Sequence, residues 1–144
     1  MKLFTAILFS VFFSGICLSQ TKNNLKTAVL LYSTSSRGLY KSITVENKVA
    51  TVSETIGDLG LEEEIAISNK DWSELNNYFK TIDLDSLVAL KAPTEKRLYD
   101  GAFVAHLKIF YKDKIFETQA FDHGFPPKEI KKLVDKINIL AKTE

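Results

Sequence analysis

His106 and His123 are the only imidazoles in this chain of 144 residues, and each has carboxylates close by in sequence. Asp122 adjoins His123 in FDHG, and Asp100 lies six residues before His106 in YDGAFVAH. A histidine with two carboxylates can move protons, provided the three meet in a cleft that shifts their pKa values. Imidazole and carboxylate are also zinc ligands. Arg37 in STSSRG and Arg97 in APTEKRLYDGA offer a different chemistry. Their forked guanidinium groups suit a carboxylate or a phosphate.

Spacing narrows these options. The Arg37 stretch has a single glycine and no Lys-Ser/Thr opening a helix, so it is not a phosphate-binding P-loop. There is no Gly-x-Ser-x-Gly elbow, and the one thiol is Cys17. A hairpin pairing Tyr111 with Lys114 sets His106 opposite Gln119, four residues back from His123. That is roughly 13 Å along a strand, too far for a shared metal. Neither a metal nor a cofactor is expected. Asp100-Gly101 is a turn dipeptide, with Gly101 expected to take the positive φ. The two arginines are expected to pair with nearby carboxylates. The residues expected to form a contact rim at one end of the sheet are Arg37, Tyr40, Arg97, Asp100 and His123, in or beside loops, where binding residues concentrate. The expected function is protein–protein contact without catalysis, as an inhibitor or accessory subunit. The rivals are a small hydrolase using Asp100, Asp122 and His123, and a small-ligand carrier with a cavity between sheet and helices.

The elements that must position these residues are legible in the hydropathy pattern. Residues 28–32 (AVLLY) form a continuous apolar run, read as a buried strand. Residues 33–38 read as a loop. Residues 39–46 alternate, Asn47-Lys48 turns the chain, and residues 49–53 give a third strand. The acidic, glycine-bearing stretch 54–64 reads as a loop. Ser68 with Asp71 fits a capping box, and Ile67 with Trp72 a hydrophobic staple. Trp72, Leu75, Tyr78, Phe79 and Ile82 then recur at helical spacing. Residues 83–90 read as a further turn stopped by Pro93. Residues 103–110 and 114–121 read as a hairpin around Lys112-Asp113, with Lys108 opposite Glu117 and Ala120 on the core face. Pro126-Pro127 lead into a last helix striped by Ile130, Leu133, Val134, Ile137, Leu140 and Ala141, with Lys136 turned to water. The sum is βββαββα: an α+β domain with an antiparallel sheet of about five strands and two amphipathic helices on one face.

Residues 1–19 have the layout of a secretory signal peptide: Lys2, a short apolar run, then small residues. Cleavage is expected near Ser19–Gln20, placing the protein in the periplasm or the medium. Lipidation at Cys17 is disfavoured by the bulky Ile16 before it. Residues 20–26 read as a flexible lead-in and residues 27–144 as one domain. Beyond residue 19 the chain holds 18 basic and 18 acidic residues, no cysteine and no second long apolar stretch. That balance excludes an electrostatic nucleic-acid binder and gives no membrane span in the mature chain. The expected partner is another exported protein.

The segments YSTSSRGLY (32–40), APTEKRLYDGA (92–102) and FDHGFPP (121–127), with Trp72 in SNKDWSEL, together resemble a family of small exported bacterial proteins with no assigned activity. That resemblance implies a shared exported domain. In layout the chain is also similar to emfourin-type metalloprotease inhibitors, small strand-and-helix domains with a glycine-containing early hairpin and a terminal amphipathic helix. Ser35-Ser36-Arg37-Gly38 lies where those carry a glycine-rich turn.

Overall fold

The structure, a computed structural model, describes residues 23–142. The expected signal segment, its cleavage point and Cys17 lie outside the described residues. The fold is mixed α+β. Strands β1 (Ala28–Ser36), β2 (Leu39–Glu46), β3 (Val49–Ile56) and β4 (Leu59–Ala66) form an antiparallel meander. Helix α1 (Asn69–Lys80) follows, then β5 (Val104–Tyr111), β6 (Lys114–Glu117), β7 (Phe121–Asp122) and helix α2 (Lys131–Leu140). Across the sheet the order is β4-β3-β2-β1-β5-β6, with β7 also on β5. Among the described residues the order is therefore ββββαβββα, not βββαββα, with seven strands where about five were expected.

One extra strand, β4, comes from a stretch read as a loop; the other, β7, comes from residues 114–121, which divide into β6 and β7 instead of forming one strand. Residues 54–64 are the end of β3, a Gly57-Asp58 turn and most of β4. Almost every side chain of β4 is exposed, so it has no buried face to mark it as a strand. Residues 33–36 continue β1, and the turn shrinks to Arg37-Gly38, both with positive φ. Positive φ at both central positions gives the hairpin twist that two-residue turns need. Asn47-Lys48 and Lys112-Asp113 turn the chain in the same way, as expected.

One sheet face carries the core. Leu30, Tyr32, Ile43, Val45, Ala50, Ala105, Leu107 and Ile109 are buried against Trp72, Leu75 and Phe79 of α1 and Leu133, Val134 and Ile137 of α2. Ser68 caps α1 by accepting the Asp71 backbone N–H at 3.1 Å. The reciprocal half of the expected box is replaced, because the Asp71 carboxylate accepts the Ser68 hydroxyl at 2.6 Å. The expected staple residues Ile67 and Trp72 are both buried. Lys136 does not face water. It leaves α2 to meet Asp71 and Glu74 of α1, each at 2.7 Å, and ties the two helices together. The proline pair is buried four residues ahead of α2 instead of in its first turn. The lead-in is docked from residue 23 on. Asn23 donates to the Ile82 carbonyl at 2.8 Å, and Leu25 is fully buried.

Towards the β1–β2 turn the sheet outruns its helices. Ile56, Leu59 and Leu61 lie on the helix-facing side by register, yet they are 55%, 75% and 70% exposed. Among the described residues no helix is long and apolar enough to cross a membrane.

Candidate functional site

The positions of Asp122 and His123 follow from one extra residue. Tyr111 pairs with Lys114 and Lys108 with Glu117, as the sequence predicts, joined by an ion pair at 3.4 Å. Carried onward, that register would set Phe103 opposite Asp122. Instead β7 sets Val104 opposite Asp122 and Ala105 opposite Phe121. Thr118 accommodates the shift by turning inward, accepting the Leu107 backbone N–H at 3.1 Å. A one-residue slip exchanges sheet faces. Phe121 therefore takes the core position expected of Ala120, and His123 comes to the helix-facing side. The expected pairing of His106 with Gln119 does not form, because β6 ends at Glu117.

Asp122 is fully buried beneath residues 94–97. Its carboxylate accepts the Thr94 hydroxyl, the backbone N–H of Lys96 at 2.7 Å and of Arg97 at 3.0 Å, and Nη1 of Arg97 at 3.1 Å. Burial is the largest single influence on its pKa and pushes it up. The donors of Thr94, Arg97 and Lys96 together outweigh burial and hold the carboxyl at about 2. Asp122 is thus an anion at neutral pH, and it pins a loop to the sheet.

Beyond that pin the loop forms a short turn over Lys96–Tyr99, and Asp100 follows in the left-handed region with φ 60°. The expected roles within Asp100-Gly101 are reversed, since Asp100 takes the positive φ. Gly101 is needed for space: a Cβ there would sit 3.0 Å from the Tyr99 ring and 3.1 Å from the Lys96 carbonyl oxygen. Asp100 forms an exposed ion pair with Arg37 across the β1–β2 turn. Ser35, Arg37, Arg97 and Asp100 line a groove of about 300 Å³.

A second cleft, of about 170 Å³, opens on the helix side and shares Leu39 with the first. Its lining includes Tyr32, Thr34, Lys41, Phe103, His123 and Asn138. The Tyr32 hydroxyl is 2.7 Å from Nδ1 of His123, whose ring stacks on Phe103 at 6.4 Å. Burial pushes the Tyr32 phenol up to about 12; the Asn138 amide opposes that shift and the Asp135 charge adds to it. Burial, then the Lys41 charge, lowers the His123 pKa below the usual imidazole value. At neutral pH the pair is a protonated phenol beside a neutral imidazole.

Of the five expected rim residues, Arg37, Arg97 and Asp100 meet in the groove and His123 lines the adjoining cleft. Tyr40, 45% exposed, lies outside both linings, on the sheet face opposite the cleft, and pairs with the groove residue Ser35. Arg97, only 16% exposed, is spent on Asp122 and the Thr94 carbonyl. Asp100, Asp122 and His123 have three separate sets of partners: Arg37, the Thr94–Arg97 loop and Tyr32. His106 stands mid-strand on the open face, as expected, opposite Ser33. Among the described residues no group of three His, Cys, Asp or Glu side chains converges as a metal site would require. Sequence reasoning missed Tyr32, Thr34 and Asn138. The available signal was Lys41, a cation on an otherwise apolar strand face, and the phenol closing the run AVLLY. No family model, no curated protein and no solved structure matches the chain.

Proposed function

We propose that the chain is an exported, non-enzymatic binding domain whose contact surface is the overhanging β3–β4 hairpin, and that its partner is a basic segment of another protein. The observation that carries this reading is the uncovered apolar strip Ile56, Leu59 and Leu61, on the sheet face that elsewhere packs the core. A contiguous exposed apolar strip at a sheet end marks an interaction surface. Among the described residues β4 pairs only with β3, so its outer edge keeps backbone donors and acceptors for an added strand.

The charge beside that edge selects the occupant. Glu62, Glu63 and Glu64 are consecutive and exposed on β4. Two copies pairing β4 to β4 would bring two such runs together, and like charges directly opposed are unfavourable. A lysine- or arginine-bearing strand meets the same edge with attraction. Arg37, at the neighbouring β1–β2 turn, extends the surface at the same end of the sheet, while Tyr40 stands on the face away from the apolar strip.

The test passes an exported-protein fraction over immobilised chain beginning at Gln20, with Glu62→Lys/Glu64→Lys and Leu59→Ser/Leu61→Ser variants as parallel columns. Both variants change only exposed side chains, so their melts should match the parent. The reading expects a basic protein retained by the parent, lost from both variants and released by about 0.5 M salt, where the screening length is only a few ångströms. Equal retention on all three columns refutes it.

A further inference from the structure

We infer that the cleft between β1, β2 and the end of α2 is a binding site for a small carboxylate with a compact apolar body, held between Lys41 and His123, whose ring the Tyr32 hydroxyl orients. This site is separate from the hairpin surface and does not rest on the protein-contact reading.

The lining divides into two halves. Leu39, Ile43, Phe103 and Ala141 give an apolar part, and Thr34, Lys41, His123, Asn138 and Lys142 give a polar part. Among the described residues the lysines and carboxylates lining the cleft are two cations, Lys41 and Lys142. Tyr32 is 1% exposed and its hydroxyl meets the imidazole of His123, an exposed residue that lines the open cleft. The phenol keeps its proton to high pH and can donate it to Nδ1. The neutral ring then carries its own proton on Nε2, which makes His123 a donor. A volume of about 170 Å³ holds about five or six waters, at roughly 30 Å³ each, or a ligand of that size. A small amphipathic anion fits both halves; a phosphate would leave the apolar half unfilled.

Two features oppose an anion, and both are weak. The C-terminal end of α2 carries partial negative charge, which Lys142 at that end offsets. Glu54 stands 3.7 Å from Lys41, a loose pair with both side chains more than a third exposed, so a better-placed carboxylate can compete. Asp135, which acts on Tyr32 from α2, is itself engaged by Lys131 at 2.6 Å. An anion entering beside His123 favours the imidazolium, so binding should take up a proton as pH falls through the imidazole range.

The probe is benzoate, with benzyl alcohol as its uncharged analogue, added to the chain beginning at Gln20. His ring signals are followed by NMR and affinity by calorimetry. The expected result is saturable binding of benzoate that shifts the His123 signals and not those of His106, raises the His123 pKa and tightens as pH falls. Lys41→Met should weaken binding about ten- to hundred-fold, the loss of one charge-assisted contact. His123→Gln should abolish the pH dependence while the chain stays folded. Three results would overturn the inference: benzoate leaving His123 unshifted, benzyl alcohol binding as tightly, or Lys41→Met binding as the parent does. Loss of binding in Lys41→Met with hairpin variants unaffected would separate this site from the protein-contact surface.

Discussion

Asp122→Ala is the perturbation with the largest consequence for the functional end of the sheet. The carboxylate is fully buried and accepts from Thr94, Lys96 and twice from Arg97. Its removal leaves two backbone N–H groups and a hydroxyl unpaired, and a guanidinium that is 16% exposed without its counter-charge. Breaking one side of a buried ion pair costs about 3–5 kcal/mol. Arg97 keeps one hydrogen bond, to the Thr94 carbonyl at 2.9 Å, which favours the lower end, about 3 kcal/mol. Asp122→Asn keeps an acceptor but loses the charge, and should cost about 1–2 kcal/mol; Thr94→Val, losing one bond to a charged group, about 1.5 kcal/mol. Urea unfolding at neutral pH measures all three. The acid limb checks the electrostatic part. A folded-state pKa of about 2, below the ordinary 3.8, means this stabilisation is complete above the ordinary value and lost as pH falls through about 2. The gap between parent and Asp122→Asn should therefore close between about pH 4 and pH 2. An alanine cost under about 1 kcal/mol, well below that expected for a broken buried pair, would refute the argument. So would a gap that stays constant in acid.

Other expectations are simpler. The depressed His123 pKa means the unfolded chain binds protons more readily, so this group's contribution to stability falls as pH drops below the ordinary imidazole value of 6.5. Melts across that range should show the fall in the parent and a flatter profile in His123→Gln. Gly101→Ala should destabilise by about 1–3 kcal/mol through overpacking against Tyr99 and Lys96, while Asp100→Gly, which relieves a left-handed backbone, should be near neutral; reversed ranking in urea titrations would refute the assignment of the two roles. Arg37→Ala removes an exposed ion pair and should change stability by less than about 1 kcal/mol, so a larger loss would make Arg37 a structural residue. Lys136→Met should lower the melting temperature at low salt and less so at high salt, because its partners on α1 are partly exposed.

The elements legible in the sequence were those with one buried face. β2, α1, β5 and α2 alternate or repeat because water lies on one side and the core on the other, and their stripes match the buried set. β4 has almost no buried side, and glutamate and glycine are poor strand formers, so nothing in LGLEEEIA announces a strand. It pairs along its whole length with β3 across the Gly57-Asp58 turn, backbone hydrogen bonding that hydropathy does not record. The same limit explains the docked lead-in, where one fully buried leucine, Leu25, is held by an Asn76 contact from α1.

The site was legible in composition and hidden in register. His123, Arg97, Asp100 and Arg37 are recognisable as polar residues in loops, and three of them do share a groove. Which partners they meet depends on the single extra residue between β6 and β7. Without it Asp122 would face the helices opposite Phe103, in the position from which His123 now reaches Tyr32. With it, the carboxylate is sent to the side where residues 94–97 can supply four donors, and the titratable imidazole to the side where a phenol and Lys41 wait. The inward-turning Thr118 holds that shift by bonding both ways with Leu107: it accepts the Leu107 N–H through its hydroxyl and donates its own N–H to the Leu107 carbonyl at 3.0 Å. Thr118→Val keeps the shape and removes the hydroxyl acceptor from a buried position, leaving the Leu107 N–H unpaired at a cost of about 1–3 kcal/mol. If the irregularity sets the site, that substitution should disturb the His123 ring signals by NMR more than those of His106, which lies nearer in sequence to Leu107 but outside the cleft. Undisturbed His123 signals in a destabilised Thr118→Val chain would show that Tyr32 and Phe103, not the strand irregularity, fix the imidazole.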